Sequence, residues 1–167
     1  IGPGFGLKKT SQKFLSKMIS GNLDKSERTS IPPLIIDADG LKLLAQLTDW
    51  PKKLPSRSIL TPHPGEMSVL TSLSVQEIQA DRLAMAKKYA VDWGQILVLK
   101  GAFTVVASPD GDIALIPIAT PALARAGTGD VLAGIIVGLR AQGVSAFEAA
   151  ATGAWIHAQA GLYAQRR

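Results

Sequence analysis

The sequence predicts an α/β fold, with a mostly parallel, doubly wound sheet and one terminal β-hairpin. Three observations carry this. Hydrophobic residues make up 47% of the chain but aromatics only 5%, so burial rests on Ala, Val, Ile and Leu, the residues of strands covered on both faces. Short, wholly apolar runs alternate with segments of helical periodicity, as parallel strands joined by crossover helices do. Residues able to do chemistry recur directly after those runs, at what would be the carboxyl edge of the sheet, where ligands bind. The 167 residues read as one domain, 1–167, with room for a sizeable core.

Taken in order, Gly2-Pro-Gly-Phe-Gly6 is a glycine-rich turn running into a helix over 8–19, whose Phe14, Leu15 and Met18 share a face. A strand is expected before Gly2, so the domain reads as incomplete. Residues 20–33 form a polar connection. The run 34–36 is a strand ending at Asp37-Ala-Asp39, and 41–47 a short helix. The strand 58–60 leads into Thr61-Pro-His-Pro-Gly-Glu66, where Pro64 suits the first turn of a helix reaching Thr71. Ser74 as N-cap, with Glu77 three residues later, predicts one helix over 74–90. The strand 96–99 turns at Lys100-Gly101. Strands over 103–107 and 113–118 flank the hairpin turn Ser108-Pro-Asp-Gly-Asp112. A small-residue helix over 131–142, closed by Gly143, and an alanine-rich helix over 146–164 complete the chain.

Composition excludes several function classes. With no cysteine, disulfides, zinc ribbons and thiol nucleophiles are out, and two histidines leave little for a His-based metal site. No apolar run approaches the ~18 residues that span a bilayer. Of the net charge of +5, four units fall within the first 30 residues, on Lys8, Lys9, Lys13, Lys17, Lys25 and Arg28 against Asp24 and Glu27. This is a solvated basic helix and loop, without the interleaved aromatics of a nucleic-acid stripe. A cytoplasmic protein with neither nucleic-acid nor membrane partner is expected.

The strongest local signal is Gly127-Thr-Gly-Asp130 at a helix start, where free amides and the helix dipole favour an anion such as a phosphoryl group. No Gly-Lys-Ser/Thr follows, so it is not a P-loop. Close helix packing with Asp130 as an N-terminal helix acid is the alternative reading of the same residues. Asp37 and Asp39, His63 with Glu66, Lys100 with Thr104, and Asp130 lie at four element ends that would converge on one cleft.

Gly2-Pro-Gly-Phe-Gly6, Asp37-Ala-Asp-Gly-Leu41, Leu60-Thr-Pro-His-Pro-Gly-Glu-Met67, Leu99-Lys-Gly101 and Ala126-Gly-Thr-Gly-Asp-Val-Leu-Ala-Gly134 occur in this order. Together they resemble the NAD(P)H-hydrate dehydratases of the ribokinase-like superfamily. The Gly-Thr-Gly-Asp element is shared with sugar, pyridoxal and thiazole kinases, whereas the Thr-Pro-His-Pro-Gly-Glu-Met run is more specific. Lys42, Val69 and Ala119-Thr-Pro121 depart from residues common in the family.

The resemblance implies a three-layer α/β/α domain that removes the ring hydroxyl from hydrated NADH or NADPH with ADP or ATP and Mg²⁺. It releases AMP or ADP and phosphate. Phosphorylation would come first, since phosphate leaves far more readily than hydroxide. On this resemblance Asp130 is the base and the amides of Gly127, Thr128 and Gly129 form the anion hole. Lys100, Gly101, Ala102, Phe103, Thr104 and Gly129 line the nucleotide site. Gly4, Gly6, His63 and Asp130 meet the hydrated nicotinamide, and Asp37 reaches Mg²⁺ through water. A homo-oligomer is expected. His157 and the three tryptophans, Trp50, Trp93 and Trp155, read as packing residues. A kinase of a small alcohol, such as a vitamin precursor, and a non-catalytic nucleotide-binding module are the rival readings.

Overall fold

The structure is a computed structural model in which residues 1–20 and 31–166 are described, so most of the expected polar connection at 20–33 lies outside them. The elements run α1 (Lys9–Ile19), β1 (Ile35–Ile36), α2 (Asp39–Leu44), α3 (Trp50–Lys53), β2 (Ile59–Leu60), α4 (Pro64–Thr71), α5 (Val75–Ala80), α6 (Arg82–Trp93), β3 (Ile96–Leu99), β4 (Val105–Ala107), β5 (Ile113–Leu115), a 3-10 turn (Pro121–Ala124), α7 (Thr128–Ala141) and α8 (Ala146–Gln165). The sheet order is β1-β2-β3-β4-β5. Its first three strands are parallel and the last two form the antiparallel hairpin.

Side chains alternate across the strands, so one sheet feeds two cores. Ile36, Leu60, Leu97 and Leu99 pack with Leu15, Leu41, Met67, Ile78 and Ala86 from α1, α2 and α4 to α6. Ile59, Ile96, Val98 and Val106 pack on the opposite face with Leu132, Ile136, Ala149 and Ala150 from α7 and α8. The result is the expected three-layer α/β/α arrangement. Strand order does not reverse among the described strands, however. The second face is covered by two helices that follow the hairpin, rather than by crossovers winding both ways.

The single helix expected over 74–90 is two helices. Ser74 and Glu77 form the expected capping box on α5. The chain then breaks at Asp81 (φ −148°, ψ 79°), whose carboxylate accepts from the Ala84 amide at 2.9 Å and caps α6. Aspartate competes with a continuing helix because its short side chain satisfies the orphan amides of a new one. The hairpin strands are shorter than expected. Phe103 sits at φ +55°, so β4 starts at Val105, and β5 ends at Leu115. Trp50 and Trp93 do pack, with ring centroids 4.9 Å apart, whereas Trp155 is exposed. No helix among the described residues is long and apolar enough to cross a membrane.

Candidate functional site

Parallel pairing of β1, β2 and β3 brings their carboxyl ends to one edge, and the strand-end residues meet there. Asp37, just past β1, is buried. Lys100, just past β3, donates its amide to the Pro62 carbonyl at 2.9 Å, which ties β3 to the segment leaving β2. Its Nζ lies 2.6 Å from Asp37 Oδ1 and 3.6 Å from Glu66 Oε2. Buried carboxylates persist only when paired and hydrogen-bonded, and Lys100 supplies the charge for both.

Glu66 is also half of a capping box on α4. The His63 amide donates to Glu66 Oε2 at 2.8 Å, and the Glu66 amide donates to His63 Nδ1 at 3.1 Å. Because Nδ1 accepts, a neutral His63 ring carries its proton on Nε2. Glu66 thus caps α4 and, through the same carboxylate, faces Lys100.

The start of α7 closes the cluster. Gly127 is its N-cap at φ +88°, a conformation that suits glycine and lets the helix begin three residues earlier than expected, at Thr128. A Cβ on Gly129 would lie 3.4 Å from Lys100 Nζ and 3.7 Å from Asp37 Oδ2. At this helix start the Thr128 and Asp130 amides donate to the Arg125 and Gly127 carbonyls at 3.4 and 3.1 Å, and it is Gly129 that adjoins the lysine of the cluster, where the helix dipole and the ammonium together favour an anion. The Thr128 hydroxyl faces the Leu123 and Arg125 carbonyls at 2.8 and 2.9 Å, anchoring the helix to the 3-10 turn.

A cavity of about 590 Å³ opens from this point. Polar His63, Lys100 and Arg125 line it together with Gly101 and Gly129 and with apolar Ile116, Ile118, Leu132 and Ala154. Of the other residues the sequence singled out, Ala102, Thr104 and Thr128 also line it, whereas Gly127, Asp130 and Phe103 do not. Asp130 is exposed in the first turn of α7, beside Gly129. Phe103 is half-exposed, with its amide bonded to the Ile118 carbonyl at 3.1 Å. Gly4 and Gly6, at φ +74° and +76°, belong to a separate turn. The Gly6 amide donates to Asp39 Oδ2 at 2.9 Å, and Gly2 rests against Asp37, so this turn flanks the ion-pair cluster outside the cavity.

Three residues emerge that the sequence reading did not place here. Arg125 lines the cavity just before the glycine run. His157 of α8 lines it too, with Nε2 buried and without a hydrogen-bond partner. Burial pushes its proton affinity down, the Thr128 carbonyl pulls it up, and Lys100 adds to the lowering. Its place in the small-residue stripe of Gly153, Ala154, Ala158 and Gly161 was the available signal. Arg82 reaches the Lys100 loop from the helix break and had no signal.

No three His, Cys, Asp or Glu side chains group as a protein-only metal site among the described residues. Asp37 Oδ1 is taken by Lys100, while Oδ2 faces Gly129. One carboxylate oxygen beside the start of α7 fits Mg²⁺, which binds through one or two carboxylates, substrate phosphates and water.

The sequence model of the NAD(P)H-hydrate dehydratase family, Carb_kinase, matches residues 1–167. The bifunctional NAD(P)H-hydrate repair enzyme of Moorella thermoacetica is 47% identical over 135 residues, covering 81% of this chain and 26% of that protein. The ADP-dependent (S)-NAD(P)H-hydrate dehydratase of Neisseria meningitidis is 41% identical over 164 residues, covering 96% of this chain and 52% of that protein. The ADP/ATP-dependent NAD(P)H-hydrate dehydratase of Bacillus subtilis, co-crystallised with ATP and Mg²⁺, superposes with a TM-score of 0.79 at 35% identity. That match covers 99% of this chain and 55% of the Bacillus chain. The likeness bears out the ribokinase-like class. The chain thus spans about half the length of the dehydratases it matches and about a quarter of the repair enzyme. With the family model matching residues 1–167 of this chain, the chain belongs to the NAD(P)H-hydrate dehydratase family.

Proposed function

We propose that the protein carrying this chain uses ADP or ATP to dehydrate hydrated NADH and NADPH. The observation that carries this is the meeting of the α7 start with Lys100 at the wall of a largely apolar cavity. Phosphates belong beside Gly129 and Lys100, and the apolar lining suits a nucleobase. Lys100 and the amides of Gly127 and Gly129 hold charge on the transferred phosphoryl group, whereas the Thr128 amide, placed in the anion hole by the sequence, is turned to the Arg125 carbonyl at 3.4 Å. Asp130, exposed beside Gly129, accepts the proton of the ring hydroxyl as that oxygen takes the phosphoryl group from ADP or ATP. The ring nitrogen lone pair then expels phosphate, and loss of a ring proton restores the dihydropyridine. His63 orients the nicotinamide nucleotide through its Nε2–H, as does the turn of Gly4 and Gly6 from the other side of Asp37.

Mg²⁺, held by the nucleotide phosphates with Asp37 Oδ2 reaching it through water, would neutralise phosphate charge. The same reading includes the single domain 1–167, cytoplasmic action, homo-oligomerisation and the absence of nucleic-acid and membrane partners.

The test is phosphate release with ADP and with ATP, with and without hydrated NADH, following NADH absorbance in parallel. Nucleotide-dependent recovery of NADH is expected. Phosphoryl transfer to a small alcohol without NADH recovery would favour the kinase reading, and nucleotide binding with no phosphate release the non-catalytic one. Asp130→Asn is expected to lower turnover roughly 10²- to 10⁴-fold with nucleotide affinity nearly unchanged, because it removes a base and keeps the shape. Full activity in that variant would overturn the assignment.

A further inference from the structure

We infer that Arg82 is a positioning residue for the nucleotide site: its guanidinium is the splint that holds the loop from Lys100 to Phe103 in shape. The inference rests on the nucleotide reading above and adds a residue outside the cavity.

The break at Asp81 starts a new helix whose first residue is Arg82, aimed at the end of β3 rather than at solvent. Its Nη2 donates to the Leu99 carbonyl at 2.8 Å, and its Nη1 donates to the Ala102 carbonyl. One planar fork thereby bridges the two ends of the loop that presents Lys100 and Gly101. The guanidinium also fills the space where a side chain at 101 would be. A Cβ on Gly101 would lie 2.9 Å from Nη1, 3.0 Å from Nη2 and 3.1 Å from Cζ, at φ +146°. A side chain at 101 would therefore have to push the guanidinium aside, at a backbone angle that itself favours glycine.

The loop needs such a splint. Phe103 is held at φ +55°, which a non-glycine residue adopts at a cost. The remaining ties are the Lys100 amide to Pro62, the Thr104 hydroxyl to the Gly101 carbonyl at 3.0 Å, and the Phe103 amide to Ile118. None of these reaches the Ala102 carbonyl, and the guanidinium links it to the carbonyl of Leu99, a residue that β4 also pairs through Val105. A lysine cannot replace it, since an ammonium on a flexible stem lacks the rigid fork. Lys100, already ion-paired to Asp37, keeps its position only while this loop keeps its path.

The experiment uses the full-length protein carrying Arg82→Lys and Arg82→Ala. Amide exchange of residues 100–104 is measured without nucleotide, alongside nucleotide affinity and the KM for hydrated NADH. Faster exchange confined to this loop is expected in both variants, with ADP or ATP affinity falling at least tenfold and the KM for hydrate changing less than threefold. Free guanidinium at millimolar concentration is expected to restore affinity to Arg82→Ala, where ammonium does not. If Arg82→Ala fails to fold, Arg82→Lys alone decides. Unchanged loop exchange, or nucleotide affinity within twofold of the parent in a folded variant, would overturn the splint. A parent protein that binds no nucleotide would instead overturn the functional reading, while the exchange experiment would still judge Arg82.

Discussion

Lys100 balances two carboxylates that have almost no water of their own. Asp37 and Glu66 are buried, and their cation arrives from a residue 63 positions after Asp37. Removing one partner of such a cluster costs far more than the cluster adds, because the other charges stay buried and unmatched. Lys100→Met keeps most of the stem and is expected to destabilise the protein by about 3 kcal/mol or more. Urea denaturation checks this, and a loss under about 1 kcal/mol would mean that water reaches the carboxylates. At this scale the sequence was legible wherever a rule of strand ends applied: Asp37, His63, Lys100, Thr104 and Gly129 all come to one edge or its cavity. It was not legible for partnerships. Nothing local tells that Lys100 faces Asp37, or that Arg82 faces the Leu99 and Ala102 carbonyls, since each contact exists only once the parallel strands are in register.

Elements show the same division between local and tertiary signals. The capping boxes on α4 and α5 involve residues three apart, so Ser74 with Glu77 could be read directly. The Asp81 break was hidden because helical periodicity continued on both sides of it. Glycines in the last two helices make the limit measurable. Gly134 and Gly138 of α7 and Gly153 and Gly161 of α8 look alike in sequence, each a helix-interior glycine among small residues. Their surroundings differ. A Cβ at 134 or 138 meets nothing within 4 Å, whereas one at 153 would lie 2.7 Å from Ile136 Cγ1 and one at 161 would lie 2.6 Å from Leu123 Cγ. Gly138→Ala is therefore expected to stabilise by about 0.5 to 1 kcal/mol through helix propensity and the unfolded chain. Gly153→Ala is expected to destabilise by about 1 to 3 kcal/mol, because α7 and α8 must part at Ile136. Thermal midpoints moving in the same direction for both variants would show that the α7 to α8 contact is looser than described.

For the molecule as a whole, the same α8 that closes the second core also carries His157, whose Nε2 is buried at the cavity, so stability and site are coupled through its protonation. The ordinary value for the His157 ring is 6.5, and burial holds it lower in the fold, with Lys100 opposing the charged form as well. The sign follows from which state takes up the proton. Above the ordinary value the ring is neutral in both states and contributes no slope. As pH falls through 6.5 the unfolded chain binds a proton that the folded chain refuses, so stability declines until the lower, folded value is reached and then levels off. Other groups titrate in acid too, so the contribution is isolated by difference. Thermal midpoints of the parent and of His157→Gln, measured from about pH 8 to about pH 5 across the usual histidine range, are expected to run parallel above the ordinary histidine value and to diverge below it, with the parent falling more steeply. Curves that stay parallel throughout would mean that the ring is solvated through the cavity. In that case the cavity floor at α8 admits water, and the unpartnered Nε2 is hydrated in solution.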